Sequence, residues 1–179
     1  YRRLAERLGS LRTGARIHPV NAAVGSATGE LEMNVYGDAA GTNSLVRRGE
    51  GLNLPPPAVE RVRVVDGDTF CDEHGITELG FAKVDTEGFE LEVMKGLKGM
   101  LSRSAVGVLQ FEYGGTWSDA RVFLRDAFEL LEPLGYRIAK IHPTGVQLLS
   151  GYDPGLDSFR YANFLALRGD WVEVFSRAR

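Results

Sequence analysis

Two short apolar runs in this sequence each stop on an acid. Phe81 to Val84 runs into Asp85 and Glu87 within the segment DTEG, and Ala105 to Phe111 runs into Glu112. Short runs of this kind suit strands buried on both faces. In open α/β sheets, ligands bind beyond the carboxyl ends of such strands. Three carboxylates at one rim suit general-base work, recognition of an amine or hydroxyl, or capture of a hard cation such as magnesium. Each acid alone has a plainer reading, with Glu87 capping the following helix and Glu112 marking a strand end. The set of three is read as functional.

Weaker candidates lie upstream. Asn21 and Ala22 end an earlier run, where one polar and one small residue can border a flat ring. Thr42, Asn43 and Ser44 sit in a polar stretch and can hydrogen-bond a substrate. His18 and His142 each precede a proline and read as strand-end residues rather than bases. Cys71 is the only cysteine, so no internal disulfide and no cysteine zinc cluster is possible, and no metal is assigned. No G-x-x-x-x-G-K-[ST] loop or G-x-S-x-G elbow is present.

The elements that must position these residues follow from periodicity. Tyr1 to Leu8 keeps helical spacing up to Gly9. Ala15 to Val24 reads as a strand, with Pro19 marking an edge or bulge. Gly29 to Tyr36 alternates as a half-buried strand, and Arg61 to Val65 does the same. Between them, 37–57 carries Gly, Asn, Ser and Pro55 to Pro57, and reads as a functional lid or as disorder. Asp68 to His74 reads as a short helix. Phe89, Val93, Met94, Leu97 and Leu101 form the buried stripe of a longer one. Ser118 is expected to cap a helix carrying Phe123, Ala127, Leu130, Leu131 and Leu134. Tyr136 to Ile141, Gly145 to Leu149 and Tyr161 to Leu167 read as closing strands.

Strands alternating with helices imply a largely parallel α/β sheet in one domain, with an antiparallel edge at the carboxyl end. The 179 residues suit a single core. With 24 acids against 21 Lys and Arg, the net charge of −3 argues against a nucleic-acid partner or docking on anionic lipid. No run approaches the roughly 18 apolar residues of a membrane span, and a cytoplasmic setting is the expectation. Nothing in the sequence sets an oligomeric state.

The segment FAKVDTEGFELEVMKG, from Phe81 to Gly96, resembles the central motif of the FkbM methyltransferases, a lysine and an apolar residue followed by D-x-E-G. NAAVGSATGELEM from Asn21, VRVVDGDTF from Val62, LQFEY from Leu109 and YANFLALR from Tyr161 agree in order and spacing. The resemblance implies a Rossmann-like class I fold moving a methyl group from S-adenosylmethionine, commonly to a hydroxyl of a small molecule, sugar or lipid. By that likeness Asn21 and Ala22 lie beside the adenine, Asp85 near the methionine end, and Glu87 and Glu112 toward the acceptor.

The family's first strand, glycine-rich cofactor loop and ribose-binding acid are expected before Tyr1, so the chain is read as the carboxy-terminal two-thirds of the enzyme. Without them, Ala15–Val24 and Phe81–Val84 should flank a gap of roughly 14 Å, three strand spacings. The 179-residue chain alone is expected to be poorly soluble and to bind the cofactor negligibly. Two rival classes remain: a catalytically inactive α/β binding module, and a metal-dependent hydrolase built on the three acids.

Overall fold

The computed structural model of the chain describes residues 1–10, 14–38, 40–49 and 54–177. An exposed helix α1 (Arg2–Ser10) leads to β1 (Ala23–Gly25), β2 (Gly29–Val35) and β3 (Ala58–Asp66). Then come α2 (Gly67–Glu73), β4 (Leu79–Val84), α3 (Glu90–Gly96), α4 (Lys98–Ser102) and β5 (Val106–Tyr113). Helices α5 (Gly115–Asp119) and α6 (Leu124–Leu131) follow, then β6 (Arg137–His142), β7 (Gly145–Leu148), β8 (Ala162–Leu167) and α7 (Gly169–Arg177). Among the described residues, no helix is long and apolar enough to cross a membrane.

The strands form two sheets, ordered β1-β3-β2 and β4-β5-β8-β6-β7. The chain is therefore α/β, but the expected mostly parallel sheet is not what forms. Only β1–β3 and β4–β5 pair in parallel, whereas β2–β3, β5–β8, β6–β7 and β6–β8 are antiparallel. The reason is connectivity, because β2 and β3 flank one excursion and β6, β7 and β8 return without parallel crossovers. The expected antiparallel carboxyl end is present. Strands β1 and β4, expected to flank a gap, are edge strands of different sheets.

Three local expectations are corrected. Of Ala15–Val24, only the end enters β1, and residues 16–20 have no ladder partner; Pro19 lacks the N–H a ladder needs. The single helix through Leu101 breaks at Leu97 into α3 and α4. The Asp68 carboxylate on α2 caps the second piece, accepting from Gly99 N (2.5 Å) and Met100 N (2.8 Å). Ser118 lies inside α5 and does not cap α6. There Asp126 reaches back to accept from Phe123 N at 2.7 Å.

Alternation along β5 splits the core. Leu109, Phe111 and Tyr113 face a layer built with Met94, Met100, Trp117, Phe128 and Phe164. Val108 faces the opposite side with Ala139, Leu165 and Leu167, covered by Trp171 and Phe175 of α7. Gln110 and Glu112 share that second side. The ladder pairs Gln110 with Lys83 and Glu112 with Asn163, so a polar strip continues the apolar one toward the strand ends.

The two sheets meet where α3 crosses β1. A Cβ on Gly96 would overlap the Gly25 carbonyl oxygen, so the helix approaches the strand as closely as only glycine allows. Backbone atoms on both sides leave little room to relax. Gly96→Ala is expected to cost about 3 kcal/mol, at the upper end of ordinary overpacking, read as a lower midpoint in urea unfolding.

Candidate functional site

The turn after β4 is built around a buried acid. Glu90 is 0% exposed, and its carboxylate accepts from Thr86 N (2.8 Å), Thr86 Oγ1 (3.0 Å) and Gly88 N (3.0 Å). The ring of donors compensates a charge that burial alone would make very costly. This folds DTEG into a tight loop with Glu87 at φ 59° and Gly88 at φ 108°. A left-handed glutamate is uncommon and is tolerated only where its surroundings hold it. A Cβ on Gly88 would lie 2.8 Å from the Thr116 carbonyl oxygen, which fixes glycine there.

The turn presents the three carboxylates together. Asp85, Glu87 and Glu112 each offer an oxygen within 4.8 Å of the others. Glu87 does not cap α3, because that position is Phe89 and no side chain caps it. Instead Glu87 forms an ion pair with Arg48, whose side chain is only 6% exposed. The Arg48 Nε is buried with no acceptor among the described residues. Asp85 is paired with Lys83, both substantially exposed. Such an exposed pair contributes about 1 kcal/mol or less, so a ligand amine can displace the lysine.

Glu112 differs from its neighbours. Among the described residues it forms no ion pair, and burial together with the charges of Asp85 and Glu87 pushes its carboxyl above the usual glutamate range. The Lys83 ammonium is held above its ordinary value chiefly by its hydrogen bond to Asp85. The three oxygens are close enough for a cation, yet Arg48 and Lys83 already supply two positive charges to the set.

Of the loop candidates, Ser44 alone reaches this site. Its hydroxyl donates to the Glu87 carbonyl at 2.8 Å, and the residue pairs with Asn34 as an isolated bridge. Asn43 serves the loop itself, accepting from Tyr36 N (2.8 Å) and donating to Gly37 O (2.9 Å). Thr42 is half-buried nearby. Within 37–57, Ser44 and Arg48 thus tie the loop to the turn; positions 39 and 50–53 lie outside the described residues. Asn21 and Ala22 line a separate cleft of about 460 Å³ with Val20, Met33 and Leu45, to which none of the three acids contributes. Leu45 follows Ser44, so one short loop borders both places.

Sequence reasoning missed Glu90 and Arg48. Glu90 falls inside the family-like segment without a role of its own, although its spacing in D-T-E-G-F-E puts a carboxylate two residues beyond the glycine it holds. Arg48 carried no local signal, since its role depends on the loop folding back across 39 residues of sequence.

The family model of the methyltransferase FkbM domain matches residues 4–138. The chain belongs to the FkbM methyltransferase family. No curated protein and no solved structure matches it. The match takes in β4, the DTEG turn and β5, and therefore every carboxylate of the rim.

Two outcomes test this FkbM site. Glu90→Ala would leave Thr86 N and Gly88 N without their acceptor, at about 1–3 kcal/mol for each buried donor, and should lower the melting temperature markedly. Glu112→Gln should do the reverse. A carboxyl raised in the folded state binds protons there at pH values where the unfolded chain has lost them. Its contribution to stability therefore falls as pH rises from the ordinary glutamate range through the folded value, and the penalty is complete above it. Glu112→Gln should accordingly be more stable than the parent at neutral pH, with the difference vanishing in acid.

Proposed function

We propose that this FkbM domain transfers a methyl group from S-adenosylmethionine to a hydroxyl oxygen, with Glu112 as the general base. The observation that carries this reading is the asymmetry of the rim: among the described residues, two of its three carboxylates form ion pairs and Glu112 forms none. A carboxylate neutralised by Arg48 is a weak base, whereas a desolvated one with a raised proton affinity is the stronger proton acceptor.

The residues present suit the cofactor. The cleft beside Asn21 and Ala22 combines apolar walls at Val20, Met33, Leu45 and Val62 with the Asn21 amide and the charged Glu60, Arg61 and Arg63, a lining with both apolar surface and polar groups for an adenine ring. Asp85 lies at the strand end with an exposed, weakly paired carboxylate for the amino group and sulfonium. S-adenosylmethionine supplies an electrophilic methyl carbon bonded to a positively charged sulfur. With the cofactor bound, Glu112 would take up the hydroxyl proton of the acceptor as its oxygen replaced sulfur on the methyl carbon. Glu87, fixed by Arg48 and Ser44, helps to orient the acceptor. Thr42, Asn43 and Ser44 belong to the loop that borders it. The acceptor class is a small molecule or glycan carrying a hydroxyl. The domain contributes mainly alignment and desolvation, with no covalent enzyme intermediate.

In the whole protein, Asp85→Asn should weaken S-adenosylmethionine binding strongly in calorimetric titration, because a charge beside the sulfonium is lost. Glu112→Gln should leave that affinity nearly intact and lower methyl transfer by about 10²- to 10⁴-fold. Unchanged turnover in both variants would exclude the assignment. Turnover that instead requires magnesium or manganese would favour a cation held by the three acids.

A further inference from the structure

Arg48 holds Glu87 by one arm. Its side chain is 6% exposed, and a terminal nitrogen pairs with one Glu87 carboxylate oxygen, yet Nε is buried with no acceptor among the described residues. A guanidinium presents Nε and a terminal nitrogen as a fixed fork, which a carboxylate fills best with both of its oxygens. A buried donor left unmet is costly, and this one is closed to solvent. The acceptor at hand is the second oxygen of Glu87, carried on the same carboxylate that Arg48 already grips. The clamp is half made.

The segment that carries Arg48 lies between the two candidate sites. Asn34 and Ser44 exchange backbone hydrogen bonds of 2.8 and 3.1 Å, and Arg48 N donates to the Tyr36 hydroxyl oxygen at 2.8 Å. Both ends of 44–48 are thus pinned to β2 or to the residue just beyond it. Ser44 and Leu45 face opposite ways, as neighbours in an extended chain do. The Ser44 hydroxyl donates to the Glu87 carbonyl at 2.8 Å, while Leu45 lines the cleft of Asn21, Ala22 and Met33. Between Leu45 and Arg48 stand only Val46 and Arg47, and Val46 N donates to the Ser44 hydroxyl oxygen at 2.9 Å.

We propose that residues 44–48 are a strap coupling the cleft to the acid rim, with Arg48 as a positioning residue whose second arm closes on Glu87 when the cleft is occupied. The proposal rests on the reading of the cleft as the cofactor site and of the rim as the acceptor site. A ligand shifts such an equilibrium only through contacts that differ between its two states. Here the difference is a nucleoside packed against Leu45 at one end and a completed fork at the other. Occupation of the cleft then sets Glu87 for the acceptor, and by reciprocity a closed clamp tightens the cleft.

The Nε–H of an arginine gives its own NMR signal, which moves downfield when it enters a hydrogen bond. In the whole protein, titration with S-adenosylhomocysteine should move the Arg48 Nε–H downfield with the same midpoint as the Asn21 and Ala22 amides. Leu45→Ala should keep the amide shifts and lose the response of Arg48. Arg48→Lys keeps the charge but cannot form the fork, and it should weaken S-adenosylhomocysteine about fivefold or more although residue 48 does not line the cleft. An Arg48 signal that stays in place while the Asn21 and Ala22 amides saturate would overturn the coupling and leave the methyl-transfer reading standing. A response of Arg48 that persists in Leu45→Ala would overturn the role of the strap. Amides at Asn21 and Ala22 that never respond would remove the cofactor reading, and the coupling with it.

Discussion

The site depends on one buried carboxylate. Glu90 has no exposed surface, and its two oxygens take up the donors of Thr86 and Gly88. Those bonds hold Glu87 in a left-handed conformation that the chain would not otherwise adopt. Everything else at the rim follows. The turn sets Asp85 and Glu87 beside Glu112, offers the Glu87 carbonyl to Ser44, and gives Arg48 a partner where the loop folds back. A buried acid satisfied by backbone donors is thereby converted into the placement of three others.

Charge balance then distinguishes the three. Arg48 and Lys83 each neutralise one carboxylate, and the third sits among like charges in partial burial. Keeping Glu112 there works against stability, the usual condition of a group retained for its chemistry. Its backing is polar rather than apolar. The strand alternation that buries Leu109 and Phe111 on one side puts Gln110 and Glu112 on the other, where Lys83 and Asn163 meet them in register.

The strand that ends before Asp85 was legible in the sequence, because a short apolar run stopping at a carboxylate is a local signal, whereas β5 runs on through Glu112 to Tyr113 and holds that acid within the strand. The helix stripe through Met94 and Leu101 was legible for the same reason, but its break at Leu97 was not: the Asp68 carboxylate that caps the second piece comes from another helix. Strand direction was misjudged for a related cause. Apolar periodicity reports burial and not pairing, so the antiparallel neighbours of β5 and β6 could not be read from composition. Ser44 was placed among the site candidates by residue type, and it reaches the turn. Asn43 has the same polarity and serves only its own loop. Arg48 acts across a long sequence separation, and no window around it shows what it faces.

The central claim is that the carboxylate rim and the cleft at Asn21 form one methyl-transfer site. The most direct measurement is NMR mapping of the whole protein, labelled at backbone amides and side-chain carboxyls, during titration with S-adenosylhomocysteine. The account requires the Asp85 carboxyl and the Asn21 and Ala22 amides to shift together with a single dissociation constant, and Glu112 to respond through the change in charge beside it. Saturable shifts confined to other surfaces, or a rim that responds to magnesium and not to the nucleoside, would contradict it.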